Sequence, residues 1–341
     1  MGRAKFQTIV DVPKFSWKTG YENKNLFMGS CFTENVGNNL TALKYDADIN
    51  PFGILYNPTS VANGLEILLN KKVLNKNDLV RHNELWHSFS HHGRFSSPDV
   101  DVTLDNINSR IQSSSTFLKE AGFLFITFGT AWIYRYRKTN RVVSNCHKIP
   151  AGEFIRERLS VKEITEKFVW LLNEIWRQNA DLKVIFTVSP IRHWKDGAIE
   201  NQRSKASLLL AVEQIIDETG KERCAYFPSY EIVMDELRDY RFYAEDMLHL
   251  SDVAVNHIWD IFEESLIDKE SREVAKRVQK IINAVNHRPI NKNSKEYFNF
   301  LTQVLKKIDD LETKRPYLNF TLEKEYINVQ FDELKKIDDK N

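Results

Sequence analysis

Short apolar runs that alternate with longer stretches of helical periodicity predict an α/β fold, with a mostly parallel central sheet and crossover helices. Each run also stops at a turn-forming residue, as a buried strand does when it leaves a sheet. The first run is Leu26-Phe27-Met28, closed by Gly29 and followed by a helix-like stretch over 33–43. The strongest is 123–128 (FLFITF), closed by Gly129. A third, 183–188 (KVIFTV), ends at Ser189-Pro190, and a fourth, 224–227 (CAYF), ends at Pro228.

The crossovers follow the same logic. Over 161–179, Ile164, Phe168, Leu171, Leu172 and Ile175 fall on one helical face, and over 204–219 Leu208, Leu209, Val212 and Ile215 or Ile216 repeat the pattern. Residues 134–143 break it: Tyr134, Tyr136 and Val142 alternate around Lys138-Thr139-Asn140-Arg141, which predicts a β-hairpin excursion. From about residue 266 the chain is rich in charge, has scattered Ile, Val, Leu and Phe and lacks glycine. This predicts two parts: an α/β domain over 1–265, and over 266–341 a helical extension laid against it with a frayed end.

Composition removes several function classes. With 42% hydrophobic and 12% aromatic residues the 341-residue chain has ample core, so disorder over its whole length is excluded. A net charge of +1, from 48 basic against 47 acidic residues, gives no support for a nucleic-acid binder. No segment approaches the roughly 20 apolar residues of a membrane span. Residues 1–13 contain no apolar run long enough for a secretory leader. Cys31, Cys146 and Cys224 form no CxxC pair, which argues against a disulfide framework or a zinc ribbon. The expectation is a soluble, cytoplasmic protein with reduced thiols. His87, His91 and His92 lack carboxylate partners at a ligand spacing, and no phosphate-binding glycine loop occurs, so neither a metal nor a cofactor is expected.

Two segments carry chemistry. In Phe27-Met28-Gly29-Ser30-Cys31-Phe32-Thr33 a strand runs into a glycine and two small nucleophile-type residues before a helix. Such a turn lifts a side chain above the carboxyl edge of the sheet, where helix N–H groups favour a thiolate, an alkoxide or a developing oxyanion. A packed turn explains the same letters. In Glu245-Asp246-Met247-Leu248-His249 the three-residue spacing lets Asp246 accept a proton from one imidazole nitrogen, which leaves the other free as a base.

Gly29-Ser30-Cys31-Phe32-Thr33 resembles the signature of the GSCFA family, with Thr33 in place of its alanine. The resemblance continues through Asn50-Pro51-Phe52-Gly53, Thr127-Phe128-Gly129-Thr130-Ala131-Trp132, Ser189-Pro190-Ile191-Arg192-His193 and Asp246-x-x-His249, over roughly residues 24 to 262. That family looks like a branch of the SGNH, or GDSL-like, hydrolases. The resemblance implies a three-layer α/β/α sandwich and ester hydrolysis, plausibly of an O-acylated carbohydrate. It implies His249 as general base, Asp246 as its orienting partner, and the N–H groups of Cys31 and Gly53 as oxyanion donors.

Two departures leave choices open. In the superfamily's Gly-Asp-Ser turn the serine is the nucleophile; here register puts Cys31 at that position and Ser30 at the aspartate. Register favours Cys31, and Ser30 matches by chemistry. The superfamily's donor asparagine is replaced by Thr130 after Gly129, with Asn50 and Asn57 as possible substitutes. Trp132 and Tyr134 suit an aromatic wall or plain hairpin packing. Arg192 and His193 suit a cleft lining, Arg192 as an anion ligand or in a surface salt bridge. Three functions fit: an esterase, an acyltransferase using the same site, or an inactive scaffold that binds a glycan or a protein.

Overall fold

The computed structural model describes residues 8–338. Residues 1–7, half of the stretch in which no secretory leader is expected, and the last three residues of the tail lie outside them. A five-stranded parallel sheet is built from β1 (Asn25–Gly29), β2 (Ala47–Ile49), β5 (Phe123–Phe128), β9 (Lys183–Val188) and β10 (Cys224–Tyr226). Its strand order is β10-β9-β5-β1-β2. Between β2 and β5 the chain forms a small hairpin of β3 (Leu79–His82) and β4 (Leu85–Ser88).

The sheet is buried on both faces because its strands alternate between two cores. Leu26 and Met28, Leu124, Ile126 and Phe128, and Val184, Phe186 and Val188 join one apolar cluster. Phe27, Phe123, Phe125 and Ile185 join the other, where Phe27 and Phe125 stack 4.4 Å apart. This period of two makes strands on a doubly covered sheet read as continuous apolar runs. The first cluster is completed by α2 (Pro58–Leu69), α3 (Val100–Glu120), α4 (Val161–Gln178) and α5 (Gly197–Thr219). The second is completed by α1 (Cys31–Ala42) and α7 (Asp252–Leu266). The C-terminal helices α8 (Lys269–Val285), α9 (Lys295–Lys314) and α10 (Thr321–Asp338) share that second cluster through Val274, Val278, Leu301, Val304 and Ile327. Helices therefore cover both faces, as a three-layer α/β/α arrangement requires. No described helix is long and apolar enough to cross a membrane.

The hairpin expected over 134–143 is part of a three-stranded antiparallel excursion. Here β6 (Trp132–Tyr136) lies between β7 (Arg141–Val143) and β8 (Phe154–Arg158). It leaves the sheet directly after the Gly129 turn. The helix expected from residue 33 starts at Cys31, and the one expected from 204 starts at Gly197.

The strand order places the site. After β1 the chain adds β2 on one side, then returns to add β5 on the other. Such a reversal leaves a crevice outside the carboxyl ends of the two central strands, where open α/β sheets bind ligands.

Candidate active site

Gly29 closes β1 at that reversal with φ +147°. A Cβ there would lie 2.2 Å from the Thr127 carbonyl oxygen, so only glycine lets β1 run this close to β5. The Gly29 N–H donates to Asn50 Oδ1 at 2.9 Å and the Ser30 N–H to Thr127 O at 3.2 Å. Ser30 then caps α1 by its extended backbone alone. Its hydroxyl makes no capping bond, is buried and has no hydrogen-bond partner among the described residues. Cys31, one residue on, is half-buried in the first turn of α1. Burial pushes its thiol up, and the Phe32 and Cys31 N–H groups and the Lys205 ammonium pull it back.

The imidazole arrives on the loop between β10 and α7. Tyr243 and Leu250 bridge the base of that loop, and the Ala244 N–H donates to His249 O at 2.8 Å. Asp246 Oδ1 accepts the N–H groups of Leu248 and His249, both at 2.9 Å, and Oδ2 meets His249 Nδ1 at 2.5 Å. The imidazole bond, aided by the two backbone bonds, brings the Asp246 carboxyl down to about 2. An ionised carboxylate only accepts, so Nδ1 carries the proton and Nε2 is left as the basic nitrogen.

A cavity of about 590 Å³ opens where β1, β5 and β9 end. Ser30, Cys31, Thr130, Trp132, Arg192, His193 and His249 all line it, as do Asn57 and Tyr134. Thus nine of the residues singled out from the sequence share one space, with Asp246 directly behind His249.

Asn50, Gly53 and Gly129 do not line that space. The Gly53 N–H, expected as an oxyanion donor, donates to Asn50 O at 2.8 Å within its own turn. Asn50 is spent on the Gly29 N–H and, at 3.4 Å, on Glu34, so it is a brace and not a substitute donor. The Gly129 N–H goes to Tyr56 O at 2.8 Å. Asn57 is different. Its Oδ1 takes the Ser60 N–H at 2.8 Å to cap α2, which fixes its amide NH₂ as the end without a hydrogen bond among the described residues. Thr130 Oγ1 accepts the Trp132 N–H and pairs with Ser204 Oγ, both at 3.1 Å.

Gly53 still holds the turn. It sits at φ +79°, and a Cβ would fall 2.3 Å from His92 Cβ. Gly53→Ala is expected to destabilise the fold by about 2–4 kcal/mol, from left-handed strain and overpacking together. The shift of a urea unfolding midpoint at unchanged slope checks this.

The residue that motif reasoning missed is Lys205. It is fully buried on α5, and its ammonium donates to Gly129 O at 2.6 Å and Ser189 O at 2.5 Å, the carbonyls where β5 and β9 end. Burial brings it down to about 7, opposed by the Cys31 thiolate and reinforced by Arg192. The sequence held a signal: Lys205 shares a helical face with Leu208, Leu209 and Val212, where a lysine is out of place. Burial, with Lys205, Lys195 and Arg156, likewise brings the His193 imidazole down to about 4, so it is neutral at neutral pH. Among the described residues no group of three or more His, Cys, Asp or Glu stands close enough to hold a metal ion. Both His87 nitrogens bond protein oxygens, at 2.6 and 3.0 Å.

Residues 24–262 match the family model of the GSCFA family, and residues 278–333 match that of the GSCFA domain protein, C-terminal domain. No curated protein matches the chain significantly. The first match spans well over half of the sequence and contains every residue of the cavity, and the second falls on the helices that cover the α1 face. The chain belongs to the GSCFA family.

Proposed function

We propose that this protein is an acyl-ester hydrolase of the SGNH type, with Cys31 as nucleophile, His249 as general base and Asp246 as its orienting partner. The observation that carries the reading is that the Cys31 thiol and the His249 imidazole, backed by an ionised Asp246, open onto one cavity at the sheet reversal.

Burial keeps the resting thiol protonated, so attack needs a base. His249 Nε2 takes the thiol proton as the sulfur attacks the ester carbonyl carbon. The oxyanion is held by the Cys31 N–H and the Asn57 amide. The C–O bond then breaks, the alcohol leaves with the proton from His249, and a thioester remains on Cys31. Water deprotonated by His249 attacks that thioester, and the carboxylic acid departs as the thiol is restored. The Lys205 ammonium offsets the negative charge on sulfur whenever Cys31 is a leaving group. The flat faces of Trp132 and Tyr134 suit a sugar ring, which favours an O-acylated carbohydrate as substrate.

Incubation with p-nitrophenyl acetate is expected to release p-nitrophenol and to leave, on rapid acid quench, an acetyl adduct that peptide mass spectrometry places on Cys31. Turnover without an adduct, or an adduct on a residue away from this cavity, would sink the reading.

A further inference from the structure

The wall facing the nucleophile has a different chemistry. Arg156, Arg192 and Lys195 line it, with one carboxylate, Asp196, which is already bonded to Arg156 and all but buried. Neither Arg192 nor Lys195 meets a carboxylate oxygen within 4.0 Å among the described residues. Among the described residues the Arg192 guanidinium has one side-chain hydrogen-bond contact, Met234 Sδ at 3.5 Å.

Aromatic rings hold two of these cations: the Arg156 guanidinium lies 4.1 Å from the Trp132 ring centroid and the Lys195 ammonium 5.1 Å from that of Tyr134. Strand pairing builds this arrangement, because Arg156 on β8 stands opposite Tyr134 on β6. The protein as a whole carries only +1, so the positive wall is local and does not reflect a basic chain. A concave, partly apolar cavity focuses such a field on whatever occupies it. His193, which lines the same cavity, is held down chiefly by burial and further by Lys205, Lys195 and Arg156.

We propose that Arg192 and Lys195, which line the same cavity as Trp132, Tyr134 and Arg156, form an anion subsite, and that the substrate is an acidic ester. Its carboxylate or phosphate lies on the part of the molecule away from the scissile bond, as in an O-acylated uronate or an O-acylated sugar phosphate. The word substrate rests on the ester reading above; the subsite does not. Two cations free of internal carboxylates gain charge-assisted hydrogen bonds from an anion without first breaking a salt bridge.

Isothermal titration calorimetry with glucose, glucuronate and glucose 6-phosphate, at low and at physiological ionic strength, tests the subsite without any turnover. At least one acidic sugar is expected to bind about tenfold or more tighter than glucose, with the gap narrowing as salt rises. Whichever of the two binds tighter identifies carboxylate or phosphate as the group recognised. Arg192→Gln/Lys195→Gln is expected to bring the gap below about threefold, and the exposed Lys195→Gln alone to narrow it without risk to the fold. Equal affinity for all three sugars, absence of binding, or a gap that survives the double variant overturns the proposal. Cys31→Ala is expected to retain the preference. If p-nitrophenyl acetate leaves no adduct while the preference for an acidic sugar stands, the ester reading fails and the subsite remains.

Discussion

Cys31→Ala is expected to abolish the acetyl adduct and to lower ester turnover by about 10³-fold or more, whereas Ser30→Ala retains turnover within about tenfold. The contrast follows from where a strand ends and a helix begins. Ser30, as N-cap, has extended backbone, and its hydroxyl is buried and without a hydrogen-bond partner among the described residues. Cys31, at the first helical position, keeps its sulfur half-exposed on the cavity and beside the Phe32 N–H. Ser30→Ala removes an unsatisfied buried hydroxyl, so it is expected to be neutral or slightly stabilising as well. Asp246→Asn is a companion test. It replaces the acceptor that fixes the His249 tautomer while touching no substrate, and is expected to cost about 10²–10⁴ in kcat with KM little changed. Turnover lost in Ser30→Ala and kept in Cys31→Ala would move the nucleophile by one residue and overturn the mechanism.

What the sequence made legible follows from how buried structure is written in it. Strands β1, β5, β9 and β10 are apolar on both faces and each ends in a breaker, so their order and their carboxyl ends stand out. The edge strand β2 does not: it is three residues long and carries Asp48 at its centre, bonded to Arg110 from α3, a partner 62 residues away that no local pattern announces. In β8 apolar and charged residues fall together on a short strand, and of its charges Arg156 lines the cavity. The start of α5 was hidden for a related reason. The face that its first turns bury is polar, because Asn201 takes the His193 N–H, Ser204 takes the Ala131 N–H and Lys205 binds the two strand-end carbonyls. Hydrophobic periodicity begins only at Leu208, beyond the part of the helix that serves the site. The motifs likewise pointed to the nucleophile turn and the Asp-x-x-His pair, but they could not reveal that the Gly53 N–H bonds Asn50 O within its turn and the Gly129 N–H bonds Tyr56 O from a distant segment.

Lys205→Met is expected to lower kcat/KM by about 10²–10³, the cost of removing one preorganised donor or charge from a site that stabilises developing negative charge. A purely structural lysine could produce part of that loss, so the informative readout is Cys31 itself. The Lys205 ammonium opposes the upward push of burial on the thiol. Without it the thiol rises further, and alkylation of Cys31 by iodoacetamide at pH 7 is expected to slow about tenfold. Stability supplies an independent check with a definite sign. Lys205 ionises at about 7 in the folded protein against 10.5 for a free lysine. Above pH 7 the unfolded chain holds a proton that the folded chain has lost, so this group makes stability rise with pH up to about 10.5; below pH 7 both states are charged and its contribution is constant. The wild-type protein therefore gains stability relative to Lys205→Met as pH climbs from 7 towards 10, measured by urea unfolding at several pH values. Unchanged alkylation together with parallel pH–stability curves would show that Lys205 is neither coupled to Cys31 nor held near neutrality. A slowed Cys31 with the expected slope would make the buried ammonium, and not the helix N-terminus alone, the group that readies this thiol for acyl transfer.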